Sequence, residues 1–142
     1  MVNWCGTVHH DPQAPVYQTE VHYYGGKVDQ DPVAEARGVL AAVDVATGTL
    51  RWKFETEAPM LANVTATAGG LIFGGDLKGT LYALDSASGA ILWRHDLSSS
   101  AGGGLFTYAL KDKQYVAAVF GPLSAFFPGG TGTTRLTVLA LP

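Results

Sequence analysis

The chain has 142 residues, 47% of them hydrophobic and only 15% charged, which suits one ordinary domain and excludes intrinsic disorder. Nine Lys+Arg stand against twelve Asp+Glu, for a net charge of -3. No basic run offers the cationic stripe that neutralises phosphates, so nucleic acid is excluded as a partner.

Residues 1–37 read as a loop-rich segment. Met1 to Gly6 lack the charged start and apolar core of a signal peptide. One cysteine, Cys5, excludes an intramolecular disulfide and a Cys-rich zinc site. It has no basic neighbour in the sequence, so it reads as a small buried thiol and not a nucleophile. His9, His10 and Asp11 lie near His22. Adjacent histidines on a strand point to opposite faces, so no metal site is expected there.

From residue 38 onward short apolar runs alternate with turn residues. Strands are expected at Val39–Asp44, Leu50–Glu55, Val64–Ala68, Leu71–Gly74, Thr80–Asp85, Ile91–Arg94, Leu105–Leu110, Tyr115–Phe120 and Leu136–Leu141. Ser98 to Gly104 is Gly-rich but lacks the Gly-Lys-Ser/Thr ending of a phosphate loop. It also precedes a strand, so it reads as a flexible connector. Gln114 to Thr134 is free of charge, yet it contains Pro122 and Pro128. It reads as a strand and loop, not a membrane span.

The chain repeats itself. Gly38 to Trp52 lies over Gly79 to Trp93, with Gly, Leu, Ala, Asp, Ala, Gly and Trp recurring 41 residues apart. A period of about 40–45 residues with strand-like contents marks propeller blades. Asp44 and Asp85 are equivalent turn formers, whose carboxylates accept backbone N–H bonds, and not an acid/base pair. Gly48 supplies a positive φ, and Trp52 and Trp93 suit the gap between adjacent sheets. The fold class is all-β: antiparallel four-stranded blades of an incomplete β-propeller, about two to three blades. Residues 38–142 form the blades, read as the C-terminal part of a larger propeller. Wide apolar faces and unpaired edges imply further blades as the first partner. A small protein that self-associates into a ring is the alternative architecture.

The repeated Ala-x-Asp-x-x-(Thr/Ser)-Gly-x-x-x-Trp, at Ala42 to Trp52 and Ala83 to Trp93, is similar to the tryptophan-docking motif of quinoprotein alcohol dehydrogenases. Thr67 to Gly79, Thr107-Tyr108 and Lys113-Gln114-Tyr115-Val116-Ala117 also resemble stretches of that family. Asp112 stands where the family usually has Gly. The resemblance implies an eight-bladed propeller that carries pyrroloquinoline quinone (PQQ) and works in the periplasm. It further implies a cofactor-facing pair at Asn3-Trp4 and cofactor contacts near Leu61 and Phe126. Leu61 and the Ala125-Phe126-Phe127 neighbourhood depart from the family, which has Trp and Gly-Trp there. The catalytic base and the ligands for Ca²⁺ or a lanthanide are expected outside this chain, so no catalytic or metal residue is assigned.

Two functions follow. The first is the C-terminal part of a PQQ-dependent alcohol or sugar dehydrogenase, which in the complete protein oxidises an alcohol group with the quinone as electron acceptor. This segment by itself is not expected to catalyse. The second is a non-catalytic scaffold for protein binding, like the outer-membrane assembly lipoproteins that share the repeat.

Overall fold

A computed structural model describes residues 2–3, 5–13, 16–20, 23, 25–122 and 133–140; for Val2 and Asn3 it describes the backbone only. Among these, β1 (Val2–Asn3), β2 (Gly6–His10) and β3 (Gly26–Gln30) precede a single 3-10 turn at Val33–Glu35. They are followed by β4 (Arg37–Val43), β5 (Leu50–Thr56), β6 (Thr65–Ala66), β7 (Leu71–Gly75), β8 (Thr80–Asp85) and β9 (Ile91–Asp96). The last strands are β10 (Ala101–Leu110), β11 (Lys113–Phe120) and β12 (Arg135–Ala140). All pairings are antiparallel. The architecture is the expected one of propeller blades.

The central blade is complete, in the order β6-β7-β8-β9, and two three-stranded sheets, β1-β4-β5 and β10-β11-β12, flank it. Strand β8 shows why the sheets stack. Its side chains alternate between two faces, and both faces are covered. Leu81 and Ala83 pack with Val116, Ala118 and Phe120 of the third blade. Tyr82 and Leu84 pack with Leu40 and Trp52 of the first. Leu81 and Leu84 are completely buried, so each of these two seams holds a small hydrophobic core of its own.

The segment 1–37 contributes more strand than its composition suggests. β1 pairs with β4 through Val2↔Gly38 and Asn3↔Arg37, the place that β7 takes on β8 in the complete blade. β2 and β3 form a separate exposed hairpin, in which Val8 faces Val28 across the pair. The connector 98–104 also differs from expectation. Ser99 and Ser100 are buried, and the β10 strand already begins at Ala101. The reason is hydrogen bonding: Ser100 Oγ donates to the Leu77 carbonyl at 2.7 Å, and the Ala101 amide donates to the Asp76 carbonyl at 2.9 Å. A backbone held on both sides is not a flexible link. No helix among the described residues is long and apolar enough to cross a membrane.

Candidate functional site

The repeat turns have the geometry that their residues dictate. Asp44 Oδ1 accepts from the Ala46 and Thr47 amides at 3.0 and 3.1 Å and from Thr47 Oγ1. Asp85 Oδ1 does the same with Ala87, Ser88 and Ser88 Oγ, at 3.1, 2.8 and 2.7 Å. Both turns close through a glycine at positive φ, Gly48 at 71° and Gly89 at 74°. The Arg51 guanidinium, then the Thr47 contacts, hold the Asp44 carboxyl below the usual range. Ser88 does so for Asp85, which has Leu92 where the first copy has Arg51. These carboxylates are committed to the turns, and neither is free for proton transfer.

The second turn receives a tryptophan from the first blade. Trp52 Nε1 donates to the Ser86 carbonyl at 3.0 Å, and its ring lies flat against Gly89. A Cβ on Gly89 would stand 2.6 Å from the indole Cε3, so only glycine admits the ring. Trp52 is thereby 9% exposed. The seam is a docking joint with one polar contact fixing its register.

Leu61 is half-buried, between buried Met60 and the half-buried Ala62. It supplies an aliphatic surface and no hydrogen-bond donor. Two residues later Asn63 ties the central blade to the third: its Nδ2 donates to the Leu105 carbonyl at 2.7 Å, and its Oδ1 accepts the Leu105 amide. Thr65 Oγ1 donates to the same carbonyl at 2.6 Å. Nothing in the sequence pattern marks Asn63 for this role, because an exposed-looking Asn before a strand reads as a turn residue. Asp76 is almost as inconspicuous in the sequence. It is 2% exposed, and its carboxylate accepts from the Thr80 amide at 3.0 Å and from Tyr82 Oη at 2.8 Å. Burial, then the Asp76 carboxylate, pushes the Tyr82 phenol up to about 12. The only hint in the sequence is the acidic residue inside Gly-Gly-Asp-Leu-Lys-Gly.

Of the four residues implied as cofactor contacts, Trp4 and Phe126 lie outside the described residues. Asn3 is placed by its backbone on β1 against Arg37, and Leu61 is placed as above. His22 also lies outside the described residues. His9 is paired with Asp29 at 3.2 Å on the exposed hairpin, and Lys27 is the first cause that lowers the Asp29 carboxyl. Among the described residues no three His, Cys, Asp or Glu side chains come together as metal ligands, so these residues do not fit a Ca²⁺ or lanthanide cage. Cys5 is exposed, which corrects the expectation of a buried thiol: it precedes the exposed β2–β3 hairpin, and among the described residues no sheet covers it. Asp112 stands at φ 61° beside Lys111 at 50° in the β10–β11 turn. Aspartate tolerates that left-handed conformation better than most residues, which explains how it replaces glycine.

Residues 36–123 match the family described as outer membrane protein assembly factor BamB. Methanol dehydrogenase (cytochrome c) subunit 1 of Methylobacterium organophilum is 37% identical over 99 residues, which are 70% of this chain and 16% of that protein. A lanthanide-dependent methanol dehydrogenase of Methylacidiphilum fumariolicum is 29% identical over 114 residues, 80% of this chain and 18% of the relative. The chain therefore spans under a fifth of the length of these relatives. Among solved structures, a europium-containing methanol dehydrogenase superposes with a TM-score of 0.64 at 26% identity, covering 84% of this chain and 21% of that one. A quinohemoprotein alcohol dehydrogenase of Pseudomonas putida HK5 shares the fold with a TM-score of 0.69 at 24% identity, over 85% of this chain and 19% of that chain. The repeat, the tryptophan joint and these likenesses agree: the chain belongs to the PQQ-type propeller family, among the quinoprotein alcohol dehydrogenases.

Proposed function

We propose that the chain supplies propeller blades to a periplasmic PQQ-dependent dehydrogenase that oxidises a small alcohol or sugar. The observation that carries this reading is the 37% identity to a methanol dehydrogenase subunit over 70% of the chain. A bound quinone would supply the electron acceptance, and a Ca²⁺ or lanthanide with ligands outside this chain would supply a Lewis acid. The contribution of this chain is positional. On this reading Asn3 on β1 and Leu61 before β6 approach the quinone, together with Trp4 and Phe126, which lie outside the described residues. The buried seams hold these blades in fixed register. Residues 38–142 act as the blade unit and 1–37 as the segment that brings in Asn3-Trp4.

The test uses the protein as its source produces it, supplied with pyrroloquinoline quinone and either Ca²⁺ or a lanthanide. Retained quinone and alcohol-dependent reduction of an artificial electron acceptor are the expected results, with Asn3→Ala weakening retention. A protein that never retains quinone overturns the reading. The scaffold alternative is favoured by the description of the matched family and by Leu61, which offers a quinone no ring to stack on. Under that alternative the protein captures a protein partner and neither retains quinone nor reduces the acceptor.

A further inference from the structure

Two charges at the seam between the first and central blades lack an opposite charge. Asp76 is buried, and its carboxylate takes only neutral donors, the Thr80 amide and the Tyr82 hydroxyl. An ionised carboxylate has about four acceptor positions, so roughly two stay unused. Lys78 of the same turn reaches Glu57 instead, at 2.9 Å, and among the described residues no cation pairs with Asp76. A buried charge without a partner is costly. Arg94 is the second case. Its equivalent in the first repeat, Lys53, pairs with Glu55. The equivalent of Glu55 is Asp96, whose Oδ1 accepts the Ser98 amide at 2.7 Å. Arg94 is thereby left without a carboxylate among the described residues.

Register brings these two charges together. Arg94 lies directly opposite Tyr82 in the β8–β9 pair, so both side chains leave the same face. Asp76 holds the hydroxyl end of that same tyrosine. All three line one cavity of about 340 Å³, with Phe54 of β5 and Ile91 of β9 as apolar wall. Glu55 and Glu57, also on its lining, are neutralised by Lys53 and Lys78.

We infer that this cavity binds a small zwitterion, an α-amino acid with an aliphatic side chain. The ammonium meets Asp76 and supplies the opposite charge that the chain itself does not. The carboxylate meets Arg94, whose planar fork of donors matches it. The side chain lies against Phe54 and Ile91. Asp76 is fixed for this role, because the Thr80 amide holds one carboxylate oxygen and the Tyr82 hydroxyl the other. A ligand with a single charge leaves the second group unanswered. An anion alone faces the buried carboxylate, and a cation alone faces Arg94, so both charges are required.

The site uses none of Asn3, Trp4, Leu61 or Phe126, so its test and the quinone test give separate results. The probe is L-valine, added to the protein as its source produces it and followed by isothermal titration calorimetry. Saturable binding is expected. Isobutylamine is the same molecule without the carboxylate, and isovalerate is the same molecule without the ammonium. Each is expected to bind at least about tenfold more weakly. Arg94 is exposed, so Arg94→Gln is expected to leave the far-ultraviolet circular dichroism unchanged. The same variant is expected to bring L-valine down to the affinity of isobutylamine, a change that loss of a merely structural group would not produce. No binding of L-valine overturns the proposal. So does an amine or an acid that binds as tightly as L-valine, or an Arg94→Gln variant that binds L-valine as the parent does.

Discussion

Gly48 and Gly89 separate two effects that a glycine can have. Both sit near φ +70°, where a side chain is strained. Around Gly48 an added Cβ meets nothing within 4 Å, whereas at Gly89 it would collide with the indole of Trp52. Gly48→Ala is therefore expected to cost about 1–2 kcal/mol, the left-handed penalty alone. Gly89→Ala adds overpacking, for about 2–4 kcal/mol in all. Urea midpoints of the two variants check this, and equal losses would mean that the tryptophan joint carries no packing energy. The turn carboxylates give a second prediction. Asp44 and Asp85 have pKa values below the ordinary 3.8 in the folded chain. Their contribution is whole above that value, shrinks as pH falls below it, and is gone once the folded carboxyls are protonated. D44N with D85N is expected to flatten the loss of stability below pH 4, measured by thermal melting across a pH series. Both aspartates are half-buried, the Arg51 partner is exposed, and added salt should weaken the Asp44–Arg51 pair.

At the level of the strand and its turn, the buried Asp76 organises the second blade. Its carboxylate takes the Tyr82 hydroxyl and the Thr80 amide, and its carbonyl takes the Ala101 amide that opens the third blade. Tyr82→Phe leaves a buried carboxylate one donor short and is expected to cost about 1–3 kcal/mol. The same phenol, pushed up to about 12, keeps its proton where an unfolded tyrosine loses it near 10. Its stabilisation is thus intact below pH 10 and is lost as pH rises through 12. A phenolate titration at 295 nm should show one tyrosine lagging the rest, and the lag should vanish in Y82F. These contacts explain where sequence reading stopped. Alternation of apolar residues found β4, β5, β7, β8, β9 and β11 to within a few residues, because burial on one or both faces enforces a period of two. The connector 98–104 is not legible this way, because serine and glycine look solvent-loving. Here their hydrogen-bond partners, the Leu77 and Asp76 carbonyls, come from another turn that no local pattern reveals. The Asp44 and Asp85 turns were legible because a repeat shows the same residues solving the same problem twice.

Across the molecule, the two flanking sheets turn chemically different faces outward. Register places Phe106, Tyr108 and Val138 on the face of the third blade that points away from the centre, opposite to Val116 and Ala118. Tyr108 and Tyr115 stack on that face with centroids 5.1 Å apart. Phe106 is 51% and Leu136 64% exposed, which is an unusual use of large apolar side chains for a surface that meets only water. On the first blade the outward face of β5 instead carries Lys53 paired with Glu55. The apolar face repeats the position that Leu81 and Ala83 hold in the central blade, where it is covered by the next sheet. A seam and an ordinary surface respond oppositely to charge. In the 142-residue chain Leu136→Lys with Val138→Lys is expected to change stability by no more than about 0.5 kcal/mol, and to remove most of the binding of a hydrophobic fluorescent dye. In the complete propeller the same pair would place two cations between sheets, and buried charge without a partner is not tolerated. Loss of folding there, with neutrality here, would identify the face as a blade seam. Equal neutrality in both settings would show that no blade covers it, and the case for a larger propeller would rest on sequence likeness alone.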